Sequence, residues 1–391
     1  TSAAGPTAAV PNRARTASQG SSRAAGRVTE IGTFSPNGAI ESLAGFAEAR
    51  AVALDGRVVA TAGARVDRIT LALEETPLRP DVRAGSETFA AFTPNAGVQG
   101  TLGGGVRAHA SVGRAFLAPP PSGRAGLVTS INTTTNVANV TAGNATLRPE
   151  ASVTWDAGLA VERPRAGLDA DVTYFRTTVD DRITTASATF AATRRPTLAG
   201  GAAVNRVTTS VNADAATIEG LEARLGWDVG ALLGAARSVR LFANATRLFR
   251  AEERVRTASI DTARVAGQQD FDPARLAGAF DFGPATTRPI YNVATLTANY
   301  GVEYDDRRRF SARLTGRFVG TRRDVDFTDF ADVSDVEYPP FMVLDLVAGV
   351  RVTPRYRVDA VVANATDENY YEKRGYNMPG RAVTVRVTAG L

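Results

Sequence analysis

The fold class this sequence predicts is all-β: a transmembrane, antiparallel up-and-down β-barrel. Three observations predict it. Apolar and polar residues alternate with a period of two along roughly thirteen or fourteen segments, which places successive side chains on opposite faces of a strand. The turns between segments are alternately short and long, as in barrels with tight turns at one membrane face and long loops at the other. One of the two faces stays nearly free of charge, as a lipid-facing surface must where an arginine at the bilayer midplane costs roughly 2–4 kcal/mol.

Composition narrows the chemistry. The 391 residues carry a net charge of +5 and no cysteine, which excludes disulfides and thiolate catalysis. His109 is the only histidine, so a multi-histidine metal site is excluded, and so is a Ser-His triad built anywhere else. Acidic and basic residues are interspersed. No compact basic block marks a nucleic-acid footprint, and no nucleic-acid partner is expected. No apolar run approaches the ~18–20 residues of a membrane-spanning helix. The first residues are small, polar and dotted with Arg, without the apolar centre of a signal peptide.

Taken in order, residues 1–26 read as a flexible N-terminal segment or loop, rich in Ala, Ser, Gly and Arg. The barrel occupies 27–391. Segment 40–54 ends at Asp55-Gly56, a strong hairpin signal. The return, 57–73, sets Val58, Ala60, Ala62, Ala64 and Val66 against Thr61, Arg65 and Asp67. Segments 88–102 and 106–117 flank a glycine turn at 103–105, with Val106, Ala108, Ala110 and Val112 opposing Arg107, His109 and Ser111. His109 thereby joins a polar strand face rather than a catalytic arrangement. Further hairpins pair 151–162 with 168–179, 217–229 with 239–250, and 293–304 with 309–319. Residues 118–146, 184–215, 251–289 and 321–340 read as long loops, the first with a low-complexity stretch rich in Asn and Thr. Strands 341–352, 355–363 and 381–391 close the chain, and in the last of them Val383, Val385 and Val387 oppose Thr384, Arg386 and Thr388.

Several short patterns, in order, resemble the TonB-dependent outer-membrane receptors. Residues 363–381, ANATDENYYEKRGYNMPGR, resemble the segment before that family's last strand, through Asn364, Asp367, Tyr371, Pro379, Gly380 and Arg381. Residues 144–159 match at Leu147, Pro149, Glu150 and Gly158, residues 168–183 at Tyr174-Phe175, and residues 216–223 at Gly220 and Glu222. Upstream, GARVD at 63–67, FTPNAGV at 92–98 and SVGRAFLAP at 111–119 fall in the expected order. The family's barrel has about 22 strands around a plugged lumen, so the resemblance covers its C-terminal part. The plug and the first strands are not visible, and Leu391 stands where the family has a terminal aromatic.

The resemblance implies an outer-membrane receptor that takes up a scarce large nutrient, a ferric siderophore, cobalamin or a similar complex. It also implies energy from a TonB-type coupling protein, outer-membrane lipid around the wall, and a second chain or segment supplying plug and remaining strands. Arg322, Arg323 and Arg374 are expected as reachable ligand-binding arginines. Asp324, Asp326 and Asp329, in an acidic loop, could offer oxygens to Ca²⁺, although a solvated loop is the better reading and no cofactor is otherwise expected. Tyr370, Tyr371 and Tyr376 read as interfacial anchors. No set of residues supports covalent catalysis, so the protein is not read as an enzyme. Two alternatives stay open: a passive porin or autotransporter-like barrel, and a receptor-derived structural subunit of an envelope complex.

Overall fold

A computed structural model of the chain describes residues 12–16, 20–24, 27–31, 37–76, 82–124, 127–132, 134–232, 237–269, 271, 279–325, 335–373 and 375–390. Thirteen strands form one continuous meander: β1 (Gly38–Ala53), β2 (Val58–Leu73), β3 (Gly85–Gly103), β4 (Val106–Leu117), β5 (Glu150–Arg163), β6 (Leu168–Thr189), β7 (Ala203–Asp228), β8 (Ser238–Ile260), β9 (Leu296–Asp305), β10 (Phe310–Val319), β11 (Phe341–Arg351), β12 (Tyr356–Ala363) and β13 (Ala382–Ala389). Each pairs antiparallel with the next.

Register fixes the faces. Leu168, Trp227, Leu241, Val302, Leu314, Leu346, Val362 and Val383 are successive direct partners from β6 to β13, a belt of eight apolar residues on eight strands. Leu241, Leu314, Leu346 and Val383 in this belt lie open on the outer surface. On the other face Asp228, Arg240, Glu303 and Arg313 are successive partners of alternating sign, and Arg313 reaches Glu303 at 3.3 Å. Arg107–Glu162 and Arg357–Asp359 repeat this compensation. A one-residue slip would exchange the two faces along a whole strand, so the alternation itself pins the register.

Two glycines make room for side chains across the sheet. A Cβ on Gly301 would come within 2.2 Å of the Leu314 carbonyl oxygen and 2.6 Å of the Phe242 ring. One on Gly158 would meet the His109 ring at 2.7 Å. His109 is therefore seated over a glycine, with its Nε2 3.1 Å from the Thr173 hydroxyl and its Nδ1 3.9 Å from Asp171.

The expected long loops are the main correction. β6, β7 and β8 continue for 22, 26 and 23 residues, well past the ~9–11 needed to cross a membrane. Within 118–146, Leu127–Asn132 pairs antiparallel with Val137–Ala142, which adds in parallel to β7. Within 251–289, Phe280–Pro289 pairs with the extension of β8. These pieces enclose a separate core in which Val140, Ala142, Ala186, Phe190, Val204, Val207, Val211 and Ile260 are buried. The reason is chemical: small residues such as Ala138, Val140 and Ala142 alternate with Asn139 and Thr141, so a half-buried strand reads as a polar tract. Residues 321–340 likewise hold a short ladder between Arg322–Val325 and Asp335–Tyr338.

Both sheet edges are distinctive. Within residues 1–26, expected as a flexible segment or loop, Asn12–Thr16 pairs antiparallel with the start of β1, and Gly20–Ala24 pairs with Arg27–Ile31. Every residue of β13 is exposed, and among the described residues no registered ladder lies on its far side. Because thirteen is odd, β1 and β13 run in the same direction.

Candidate functional site

Of the sequence-derived candidates, Arg322, Arg323 and Asp324 lie at the long-loop end of the polar face, where the Arg322–Val325 ladder meets the segment between β12 and β13. That segment is held by its own side chains. Asn364 has φ 48°, a conformation Asn tolerates better than most residues. Its Oδ1 accepts from Glu368 N at 2.8 Å, and its Nδ2 donates to the carbonyls of Glu368 and Pro379. Asp367, at φ 58°, accepts from Arg381 N at 2.7 Å. Asp345 of β11 accepts from Asn364 N. Asn364 and Asp367 thereby close the segment into a turn that delivers Arg381 to the start of β13.

Onto this turn packs an aromatic and cationic cluster. Tyr338 is fully buried and meets Tyr371 edge to face with centroids 5.3 Å apart, and Phe341 meets Tyr370 at 4.5 Å. The Arg322 guanidinium lies 5.1 Å from the Tyr338 centroid and 5.5 Å from that of Phe341. It donates to the carbonyls of Tyr371 and Glu372 at 2.9 Å and to Asn292 Oδ1 at 3.1 Å. Burial pulls this guanidinium below its ordinary value, against the pull of Glu372, and an arginine stays charged regardless. Arg322 is thus not the reachable arginine the sequence suggested. It is 6% exposed and fastens the ladder to the closing turn. Tyr370 and Tyr371 likewise belong to this packing rather than to a membrane interface, while Tyr376 is 73% exposed.

What remains reachable is a rim. Arg323 is half-exposed, 3.9 Å from Glu337 across the ladder. It opens on a cavity of about 240 Å³ shared with Arg250, Glu252, Phe249 and Ile290. Arg317 pairs with Glu372 at 2.7 Å, and Lys373 reaches Asp324 at 3.4 Å. Asp324 is buried and also sits 3.5 Å from the Tyr338 hydroxyl. Arg374, Asp326 and Asp329 lie outside the described residues. Among the described residues no group of three acidic or histidine side chains could hold a metal ion.

The other signature residues have structural duties. Glu150 accepts from Ile183 N at 2.9 Å and so pins the irregular register of β6. Gly220 sits at the irregularity between β7 and β8, where a Cβ would stand 2.5 Å from the Arg247 carbonyl oxygen. Glu222 lies on the polar face between Thr173 and Thr246. One important residue escaped the sequence reading. Glu253, buried on the β8 extension, is clamped between Arg182 and Arg288. Burial raises its carboxyl pKa, but the two arginine hydrogen bonds outweigh that and hold it below the ordinary value. The only sequence signal was a run of mixed charge, AEERVR.

Comparison with known proteins gives this architecture a family. The profile described as "TonB dependent receptor-like, beta-barrel" matches residues 6–365. No curated protein matches the sequence. Among solved structures, the siderophore receptor PirA from Acinetobacter baumannii is similar at 16% identity and TM-score 0.56, covering 90% of this chain and 55% of that one. The hemophore receptor HasR of Serratia marcescens, solved with its hemophore HasA and heme, is similar at 18% and 0.58, covering 90% and 51%. The copper transporter OprC is similar at 15% and 0.61, covering 95% and 53%. At these identities the likeness is one of fold, and the chain spans about half the length of each. Transport receptors, not enzymes, are what it resembles throughout, and its bare apolar belt is the lipid face of an outer-membrane barrel. The chain belongs to the TonB-dependent receptors and forms part of their outer-membrane β-barrel.

Proposed function

We propose that this chain supplies barrel wall and extracellular surface to an active importer of a scarce, bulky metal complex, energised through a TonB-type protein. One observation carries the reading. Over at least nine-tenths of its length the chain has the fold of a siderophore receptor, of a hemophore receptor solved with its hemophore and heme, and of a copper transporter. The three name different cargoes, so a ferric siderophore, heme or a metal complex such as cobalamin all fit the class. Plug and remaining strands come from a further segment or a second chain.

Arg323, half-exposed on the ladder, and Arg374, carried over from the sequence reading, are the cations proposed to meet an anionic ligand, because a guanidinium fork matches carboxylate and catecholate oxygens in pairs. Arg322 contributes by holding the ladder in place. Replacing Arg323 and Arg374 together by Ala is expected to weaken binding of the cognate complex about tenfold while leaving folding intact. Equilibrium binding against ferric siderophores, heme and cobalamin checks this. Unchanged affinity for every complex that the parent protein binds would remove both arginines. Large ion conductance from the purified protein would instead favour a passive pore.

A further inference from the structure

Among the described ladders, two arginines stand directly opposite each other at one place, Arg351 and Arg357. At the short-turn end of β10, β11 and β12, Arg309 lies across from Arg351, which donates its backbone N–H to the Arg309 carbonyl at 2.8 Å. Arg351 in turn lies directly opposite Arg357. Like charges in directly opposed strand positions are unfavourable, and here three arginines stand in a row. With Arg307 and Arg308 from the turn they surround a cavity of about 150 Å³ whose sole acid is Asp305.

The nearby carboxylates are already engaged. Asp305 accepts from Arg307 N at 2.6 Å, and Asp306 accepts from the backbone N–H groups of Arg308, Arg309 and Phe310. Those donors hold the Asp306 carboxyl below its ordinary value. Asp359 serves Arg357 at 2.8 Å. Arg309 and Arg351 have no ion pair among the described residues. A row of arginines of which two have no ion pair among the described residues sets local charge against the sheet's own stability, and such a conflict is where function is to be sought.

We propose that this arginine row is a docking site for an acidic polypeptide segment entering the lumen from the short-turn side. The register selects the occupant. Arg309, Arg351 and Arg357 lie on the polar face, while Phe310, Val350 and Val358 occupy the lipid face at the same level, partnered across the sheet. Bilayer headgroups are therefore shut off from the row. Several guanidinium forks along one edge suit successive carboxylates of a chain, each of which can accept two parallel hydrogen bonds. The site rests on the lumen assignment of the polar face and is independent of which nutrient is carried.

The test uses the protein purified in detergent and a fluorescent octapeptide of alternating Glu and Gly. Binding is expected to weaken as salt rises, and to fall about three- to tenfold in Arg309→Gln/Arg351→Gln. Arg165→Gln, on another short turn, serves as the control and should bind as the parent does. Both positions are exposed, and cold-gel mobility reports whether the variants fold. Three results would overturn the proposal: no peptide binding by the parent, equal binding by the double variant, or an Arg309/Arg351-dependent preference for phosphatidylglycerol nanodiscs without peptide binding.

Discussion

Leu346→Arg is expected to cost roughly 2–4 kcal/mol of barrel stability and to reduce insertion sharply, as for arginine at a bilayer midplane. Leu346 is the central residue of an 11-residue strand. It sits in the apolar belt between Leu314 and Val362, with no carboxylate directly opposite on either side. The neighbouring position reverses the expectation. Val347 lies on the polar face directly opposite Arg313, so Val347→Glu should change stability by no more than about 0.5 kcal/mol. Urea unfolding in lipid vesicles, read by the mobility of unheated samples on a gel, compares the two. Equal tolerance at both positions would mean that the faces are misassigned.

The second large effect concerns the lobe that the extensions of β6, β7 and β8 build around their own buried core. Glu253 is 7% exposed in its side chain, whereas Arg182 and Arg288 are 33% and 46% exposed. Glu253→Gln removes the buried charge that both guanidinium groups share. Hydrogen bonds to charged groups contribute about 1.5–3 kcal/mol each, and discounting for the solvent around the arginines leaves roughly 2 kcal/mol in all. The pH dependence has a definite sign. A carboxyl whose folded pKa is depressed stabilises fully above its unfolded value of about 4.3, and that contribution is lost as pH falls through the folded pKa. Hydrogen exchange along the β8 extension should therefore accelerate in the parent below about pH 4. In Glu253→Gln the exchange should already be fast at neutral pH and lack this acid step. Identical exchange profiles in parent and variant would show that the clamp does not hold the lobe.

These two cases also mark what could be seen in the sequence. The belt that contains Leu346 was legible because a period of two needs only neighbouring residues to reveal it. The same holds for Val383, Val385 and Val387, and for the compensated arginines opposite them. The lobe was not legible. Its strands are written in Ala, Thr, Asn and Val, whose alternation is too shallow to separate from loop composition, and Val137–Ala142 adds to β7 in parallel from more than 60 residues away. Arg322 illustrates the same limit for a site. Its type and position were right for ligand capture, yet its partners are carbonyls 49 and 50 residues along the chain. The motif from Asn364 to Arg381 was recognised as a pattern. The structure supplies the cause, because Asn364 and Asp367 close the turn that sets β13 in register.

The central claim is that β13 belongs to a membrane barrel with Val383, Val385 and Val387 toward lipid and Thr384, Arg386 and Thr388 toward the lumen. The protein has no cysteine, so single cysteines at positions 383 to 388 can each carry a spin label without background. In lipid vesicles, collision with oxygen should dominate at 383, 385 and 387, and collision with a water-soluble nickel chelate at 384, 386 and 388. A profile without that period of two, or one with its phase reversed, would contradict the account.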